Sequence, residues 1–298
     1  MPFANLLLVC SITDFPMDTI GILTLLLIIA NALVSYQGFK DHRFLDKYAF
    51  EVDGILVQKE YQRLFTSGFL HVGWTHLLLN MLSLYAFSDH LQAYLGEFNF
   101  CIVYAASLLG GNLLSLFINR NNGDYSAVGA SGAVSGVIFA SIAVIPGIGI
   151  GFLGFGYSFP GWIYGVLFVL YSIYGIKSQR DNIGHEAHLG GALVGMAVAM
   201  AMHPQSLPFT YKPVLAVSLL SVGLLYFVLT RPHLPLPFTG GFFSQKSKGY
   251  TLEDRYNAAK LDRQKEIDRI LEKVHKSGVR SLTRQEKEML DEHGKEGK

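Results

Sequence analysis

Pro213 to Thr230 is a run of eighteen residues without a charge, the threshold length for a helix to cross a hydrocarbon core of ~30 Å. Similar apolar stretches recur along the chain: Thr19 to Tyr36, His76 to Leu95, Phe100 to Ile118, Ala133 to Ile145, Gly161 to Ile176 and Ile183 to Met202. Lipid offers backbone groups no water to bond, so segments of this kind are constrained to be helices packed side by side. Composition agrees. With 50% hydrophobic and 16% charged residues and a mean hydropathy of +0.32, the chain has too few charges to cover a soluble globule of 298 residues. The sequence therefore predicts seven spans in an integral membrane protein.

The net charge of +1 hides a division. Residues 1 to 230 carry 9 Lys/Arg and 12 Asp/Glu, whereas residues 231 to 298 carry 15 and 11. An apolar body is thus followed by a polar tail whose charges alternate in sign. Absence of an all-basic block argues against nucleic acid as a partner. In the tail, Ile267, Ile270, Leu271 and Val274 fall on one helical face, Gly278 is placed to end that helix, and Thr283 with Glu286 forms a T-x-x-E capping box. A small soluble helical hairpin is the reading, with no chemistry of its own. Cys10 and Cys101 lie far apart and have no metal-type spacing, so neither a disulfide framework nor a zinc site is indicated.

Chemistry concentrates at span starts. Gly129-Ala130-Ser131-Gly132 opens the fourth apolar run, His188 stands near the start of the sixth, and His76 with Asn80 one turn on begins the second. Alternate spans run in the same direction, so all four side chains are expected at one membrane face. Polar groups inside lipid are costly and need partners or a wet cavity. A serine needs a neighbouring base to become a nucleophile, and His188 supplies one. His76 and Asn80 are candidate donors to an oxyanion. The bland alternative is packing: Ser131 bonded to a carbonyl one turn back, His76 and Asn80 tying helices together, and Gly132, Gly136, Gly191 and Gly195 letting helices approach closely at four-residue spacing. A carboxylate to orient His188 is not evident, because Glu186 lies about 200° around the helix from it.

These residues resemble the rhomboid family of intramembrane serine proteases. The matching segments are Phe69-Leu70-His71 with His76 and Asn80, then Gly129-Ala130-Ser131-Gly132, then Ala187-His188-Leu189-Gly190-Gly191 with Gly195. They stand in the family's order within a six-span core, roughly residues 19 to 203. The resemblance implies Ser131 as nucleophile, His188 as its base, and His76, Asn80 and the Ser131 backbone N–H as oxyanion donors. Gly129, Gly132, His71, Gly191 and Gly195 are then structural support. It also implies a long loop before the second span lying partly in the membrane.

Four positions depart from the family pattern: Gln62 before Arg63 replaces Trp in the first loop, Ser135 occupies the place of an aromatic platform for the histidine, and Ser88 and Gln92 replace Gly and Glu. Competing enzyme classes fail on inventory. His185 and His188 are three apart where a zinc helix needs four, and Asp124 has no partner for aspartyl chemistry.

The expected organisation is an all-α membrane protein. An N-terminal segment (1–18) precedes a six-helix rhomboid-like core (19–203), an additional span (204–230), a linker (231–250) and the helical tail (251–298). The expected activity is Ser/His-dyad hydrolysis of peptide bonds in or near transmembrane segments of protein substrates. It needs no cofactor or metal, takes place in the lipid bilayer of a bacterial cytoplasmic membrane, and leaves the tail's partner unassigned. A catalytically silent binder of membrane-protein clients is the alternative.

Overall fold

A computed structural model describes residues 8–11, 21–152, 158–178, 183–231, 266–276, 278–283, 285–287 and 289–290. Most of the expected N-terminal segment, all of the linker after Arg231, and residues 251–265 of the tail lie outside them. The chain divides into two compact units, Met1–Gly249 and Tyr250–Lys298.

The first unit is a helical bundle. Helix α1 (Ile22–Lys40) is followed by three short helices, α2 (His42–Tyr48), α3 (Val52–Leu56) and α4 (Arg63–Thr66), which occupy the long polar connection. The long helices are α5 (Trp74–Leu95), α6 (Glu97–Asn119), α7 (Ser131–Val144), α8 (Gly161–Ser178), α9 (His185–Met202) and α10 (Leu207–Thr230). Each of the seven predicted apolar segments thus overlaps one long helix. Among the described residues, three helical segments, Ile22–Lys40, Glu97–Asn119 and Pro204–Thr230, are long and apolar enough to cross a membrane by length and composition. Helix α10 begins six residues before the predicted Pro213, because Pro208 falls in its first turn, where a missing N–H costs nothing. Gly96, at φ +79°, turns the chain between α5 and α6.

At the centre stands α7. Every residue from Gly132 to Val144 is buried, although the helix has only 14 residues, about 21 Å of length. Apolar side chains surround it, including Leu84 and Phe87 from α5, Phe100 and Leu108 from α6, Ile173 from α8 and Leu189 and Met196 from α9. A helix apolar all round belongs in the interior of a bundle, and α7 meets that condition.

Short strands accompany the helical bundle. Strand β1 (Leu8–Ser11) pairs antiparallel with β4 (Gly149–Phe152), which pairs with β5 (Ser158–Pro160). Strand β2 (Phe50–Glu51) pairs with β3 (Ser126–Ala127). These strands are too short to show a period of two in sequence, and β4 lies in a glycine-rich stretch that carries no strand signal.

In the second unit residues 266–276 are helical. Ile267 and Ile270 are buried, whereas Leu271, expected on the same inward face, is about half exposed (49%). Gly278 follows at φ +75° and its N–H donates to the Val274 carbonyl at 2.8 Å, closing the helix as predicted. The capping box forms in both directions. Thr283 N–H donates to Glu286 Oε2 at 2.7 Å, and Glu286 N–H to Thr283 Oγ1 at 3.2 Å. Lys273 Nζ reaches the same carboxylate at 2.8 Å.

Candidate active site

Packing between α6, α7 and α9 sets the geometry, and glycine makes it possible. A Cβ on Gly132 would lie 3.1 Å from the Ala187 carbonyl oxygen, and one on Gly136 would lie 2.8 Å from the Gly191 carbonyl oxygen after overlapping Ser107. Gly195 would meet Gly136 and Ser107 in the same way. Backbone lies against backbone along this seam, as small residues allow in membrane helices.

The turn into α7 is held by two backbone N–H groups. Gly129 N–H donates to the Ser67 carbonyl at 3.0 Å, and Ala130 N–H donates to His71 Nε2 at 3.4 Å. Because His71 Nε2 accepts, its Nδ1 carries the proton and donates to Ser35 Oγ at 2.8 Å. Ser35 in turn donates to the Phe69 carbonyl at 3.0 Å. The chain of bonds runs from α1 through His71 to the residue before Ser131, and it requires a neutral imidazole. Burial, then the neighbouring His76, hold the His71 pKa well below the ordinary histidine range. Gly129 adopts φ +140°, where an L side chain is strained, and a Cβ there would sit 3.0 Å from the His76 ring. Glycine is required on both counts.

Ser131 is the first residue of α7. The opening N–H groups of a helix have no intrahelical acceptor and carry the positive end of its dipole, so Ser131 stands where developing negative charge is stabilised. Its Oγ lies 2.6 Å from His188 Nε2, across 57 positions of sequence. His188 is in the first turn of α9, with its own N–H on the Gly184 carbonyl at 3.0 Å. That arrangement lets the hydroxyl hand its proton to the imidazole. The starts of α5, α7 and α9 meet at one end of the bundle.

His76 lies beside this turn, over Gly129 and edge-on to His71 with ring centroids 4.9 Å apart. Asn80 is buried, and its amide donates to the His76 carbonyl at 3.0 Å, one turn back on α5. This bond is the helix-tying contact weighed against an oxyanion role, and one of the two amide N–H groups makes it. Gly191 and Gly195 lie in the α7–α9 seam.

Several supporting contacts are not legible in the sequence, even where the residue itself stands out there. Arg63 is buried, and its guanidinium donates to the carbonyls of Asp46 at 2.7 Å and Ala49 at 2.9 Å, and to Glu60 at 2.6 Å. Asn112 on α6 donates to the Leu64 carbonyl at 2.8 Å and to Ser67 Oγ at 3.1 Å. Where Ser135 leaves no platform on α7, the Phe168 ring of α8 stands 6.4 Å from His188 at 35°. Gln92 bonds Thr24 of α1. A buried Asn, a buried Ser and a loop Arg were the available signals, but nothing in their spacing said which loop they would hold.

Residues 58–205 match the model of the Rhomboid domain, and residues 250–296 match a family of unknown function, DUF6576. The chain is 32% identical over 170 residues to "Rhomboid protein 1, mitochondrial" of Saccharomyces cerevisiae, covering 54% of this chain and 47% of that protein. It is 28% identical over 192 residues to "RHOMBOID-like protein 12, mitochondrial" of Arabidopsis thaliana, covering 59% and 56%. With "Rhomboid protease GluP" of Bacillus subtilis it shares 29% over 184 residues, covering 60% and 34%. The chain spans about half the length of the first two of these relatives. The expectation of a bacterial cytoplasmic membrane gains no support from relatives whose names include mitochondrial ones; an integral membrane protein is what the domain and the apolar helices support. The chain belongs to the rhomboid family.

Proposed function

We propose that this protein is an intramembrane serine endopeptidase that hydrolyses peptide bonds in or near transmembrane segments of protein substrates. The observation that carries the proposal is the 2.6 Å contact between Ser131 Oγ and His188 Nε2 at the N-terminal end of a buried helix. Ser131 Oγ attacks the scissile carbonyl while His188 takes its proton. His188 then gives that proton to the leaving amine, and water, deprotonated by the same imidazole, releases the acyl group. The Ser131 N–H, the His76 ring and the second Asn80 N–H are the donors offered to the oxyanion.

In this reading the seven long helices are the six-span core with one additional span, and residues 266–290 are a soluble helical hairpin. Helix α7 reaches only about 21 Å against a hydrocarbon core of ~30 Å. If one end meets a membrane surface, the other stops about 10 Å short of the opposite one. Ser131 at that recessed end is reached by water through a polar cavity, and substrates with broken or frayed helices expose their carbonyls to it.

The test is labelling of the purified full-length protein with a serine-directed fluorophosphonate, beside cleavage of a model transmembrane substrate. Ser131→Ala abolishes both while the protein still inserts and folds. Unchanged product from that variant refutes the proposal, and wild type that neither labels nor cleaves favours client binding.

A further inference from the structure

The carboxyl group of Glu186 is buried and takes no part in the dyad. It sits in the first turn of α9, two residues before His188, within reach of the Tyr125 hydroxyl and the Asn119 amide. Asn119 is the last residue of α6 and is itself buried. Both of these partners carry N–H or O–H donors that a carboxyl oxygen can accept.

Tyr125 connects more than Glu186. Its hydroxyl also receives the Ser115 Oγ bond from α6 at 3.5 Å and lies 3.7 Å from where a Cβ of Gly184 would stand, against the entry to α9. Its carbonyl accepts the Val52 N–H at 3.2 Å, and its ring meets Phe50 edge-on at 6.0 Å. Both of those residues belong to the first loop. The next two residues, Ser126 and Ala127, pair with Glu51 and Phe50, and Ser131 follows four positions later. One residue therefore ties the first loop and the turn before Ser131 to the helix that carries His188.

We infer that Glu186 and Tyr125 form a positioning clamp that fixes the separation of Ser131 from His188 and couples both to the first loop. Resting on the proteolytic reading above, this assigns a role to a buried carboxyl group that neither attacks nor transfers a proton. A dyad contact of 2.6 Å tolerates little drift, since displacement of reacting groups by about 1 Å costs up to ~10²-fold in rate.

The experiment compares wild type, Tyr125→Phe, Glu186→Gln and the double variant as full-length protein in detergent. It reads the rate of fluorophosphonate labelling, kcat and KM on a model substrate, and the unfolding midpoint. Tyr125→Phe removes one donor at nearly constant volume, and Glu186→Gln replaces one acceptor oxygen by a donor. Each single variant is expected to label and turn over about 10-fold more slowly with KM unchanged, and the double variant no more slowly than the slower single. The clamp is overturned if labelling stays within about twofold of wild type, if the two losses multiply, if KM rises in place of a fall in kcat, or if only the midpoint moves. Wild type that fails to label at Ser131 removes the protease reading itself, whereas labelled wild type with equally fast variants removes the clamp alone.

Discussion

Gly191 rests so closely on the carbonyl of Gly132 that a Cβ added there would overlap the oxygen. The obstruction is backbone of another helix, which cannot swing aside as a flexible side chain can. Gly191→Ala is therefore expected to pry α9 from α7 and to cost about 1 to 3 kcal/mol. The unfolding midpoint in detergent measures this. Because the same displacement separates His188 from Ser131, fluorophosphonate labelling per folded molecule falls with it. A variant as stable and as reactive as wild type would show that the seam yields freely.

His71 gives the fold a pH dependence whose sign follows from its network. Its folded-state pKa lies well below the ordinary 6.5, since burial and the Ala130 N–H both disfavour the imidazolium. Above about pH 6.5 both folded and unfolded chains hold it neutral, and the group adds no pH dependence. Below that value the unfolded chain takes up a proton that the folded chain refuses, so stability declines as pH falls until the folded-state pKa is reached. Denaturation followed from pH 7.5 to 5 is expected to show this loss, and His71→Asn to flatten the His71 component of the profile. An unchanged slope in His71→Asn would assign the loss to other groups.

Residue type and periodicity made the bundle legible before any coordinates. Each apolar run became a helix because lipid-type segments have one way to satisfy their backbone, and the meeting of Ser131 with His188 could be expected because the two open alternate runs. What stayed hidden depends on contacts across long sequence separations with no periodic signature. Phe168 stands 20 positions before His188 and took the platform's place only because α8 folds back over it. Ser35 and His71 meet because α1 passes the first loop. The two-residue strands at Phe50 and Ser126 are defined by each other and by nothing local. Asn80 shows the opposite limit: its position on α5 was legible, but the choice between the His76 carbonyl and a substrate oxyanion was not.

Arg63 is the anchor of the first loop. Its side chain is 7% exposed and satisfies two carbonyls, with Glu60 and Glu51 beside it. Arg63→Ala leaves those carbonyls and the Glu60 carboxylate without their donor, a class of change that costs about 3 kcal/mol. Arg63→Lys keeps the charge but cannot reach two carbonyls and Glu60 in one plane, so it recovers only part of the loss. Proteolytic nicking between residues 40 and 66, followed over time for the three proteins, ranks them wild type slowest, then lysine, then alanine. Equal rates would mean that Asn112 and the β2–β3 pairing hold the loop without the arginine.

The tail carries its own acid sensitivity at Glu286. The Lys273 ammonium, followed by the Thr283 N–H, holds this carboxyl at a pKa of about 2 against an ordinary 4.5. A depressed carboxyl stabilises the folded form fully above the ordinary value, and the contribution drains away as pH falls from 4.5 towards 2. The capping box opens in that window because a protonated carboxyl no longer accepts well from the Thr283 N–H or pairs with Lys273. Hydrogen-exchange protection of residues 266–290 in the full-length protein, corrected for intrinsic rates, is expected to fall between pH 5 and 3. Glu286→Gln lacks the charge at every pH, so it starts with lower protection at neutral pH and loses less on acidification. If wild type and variant lose protection in parallel, the acid sensitivity of the tail belongs to its other carboxylates, and Glu286 only shapes the helix start.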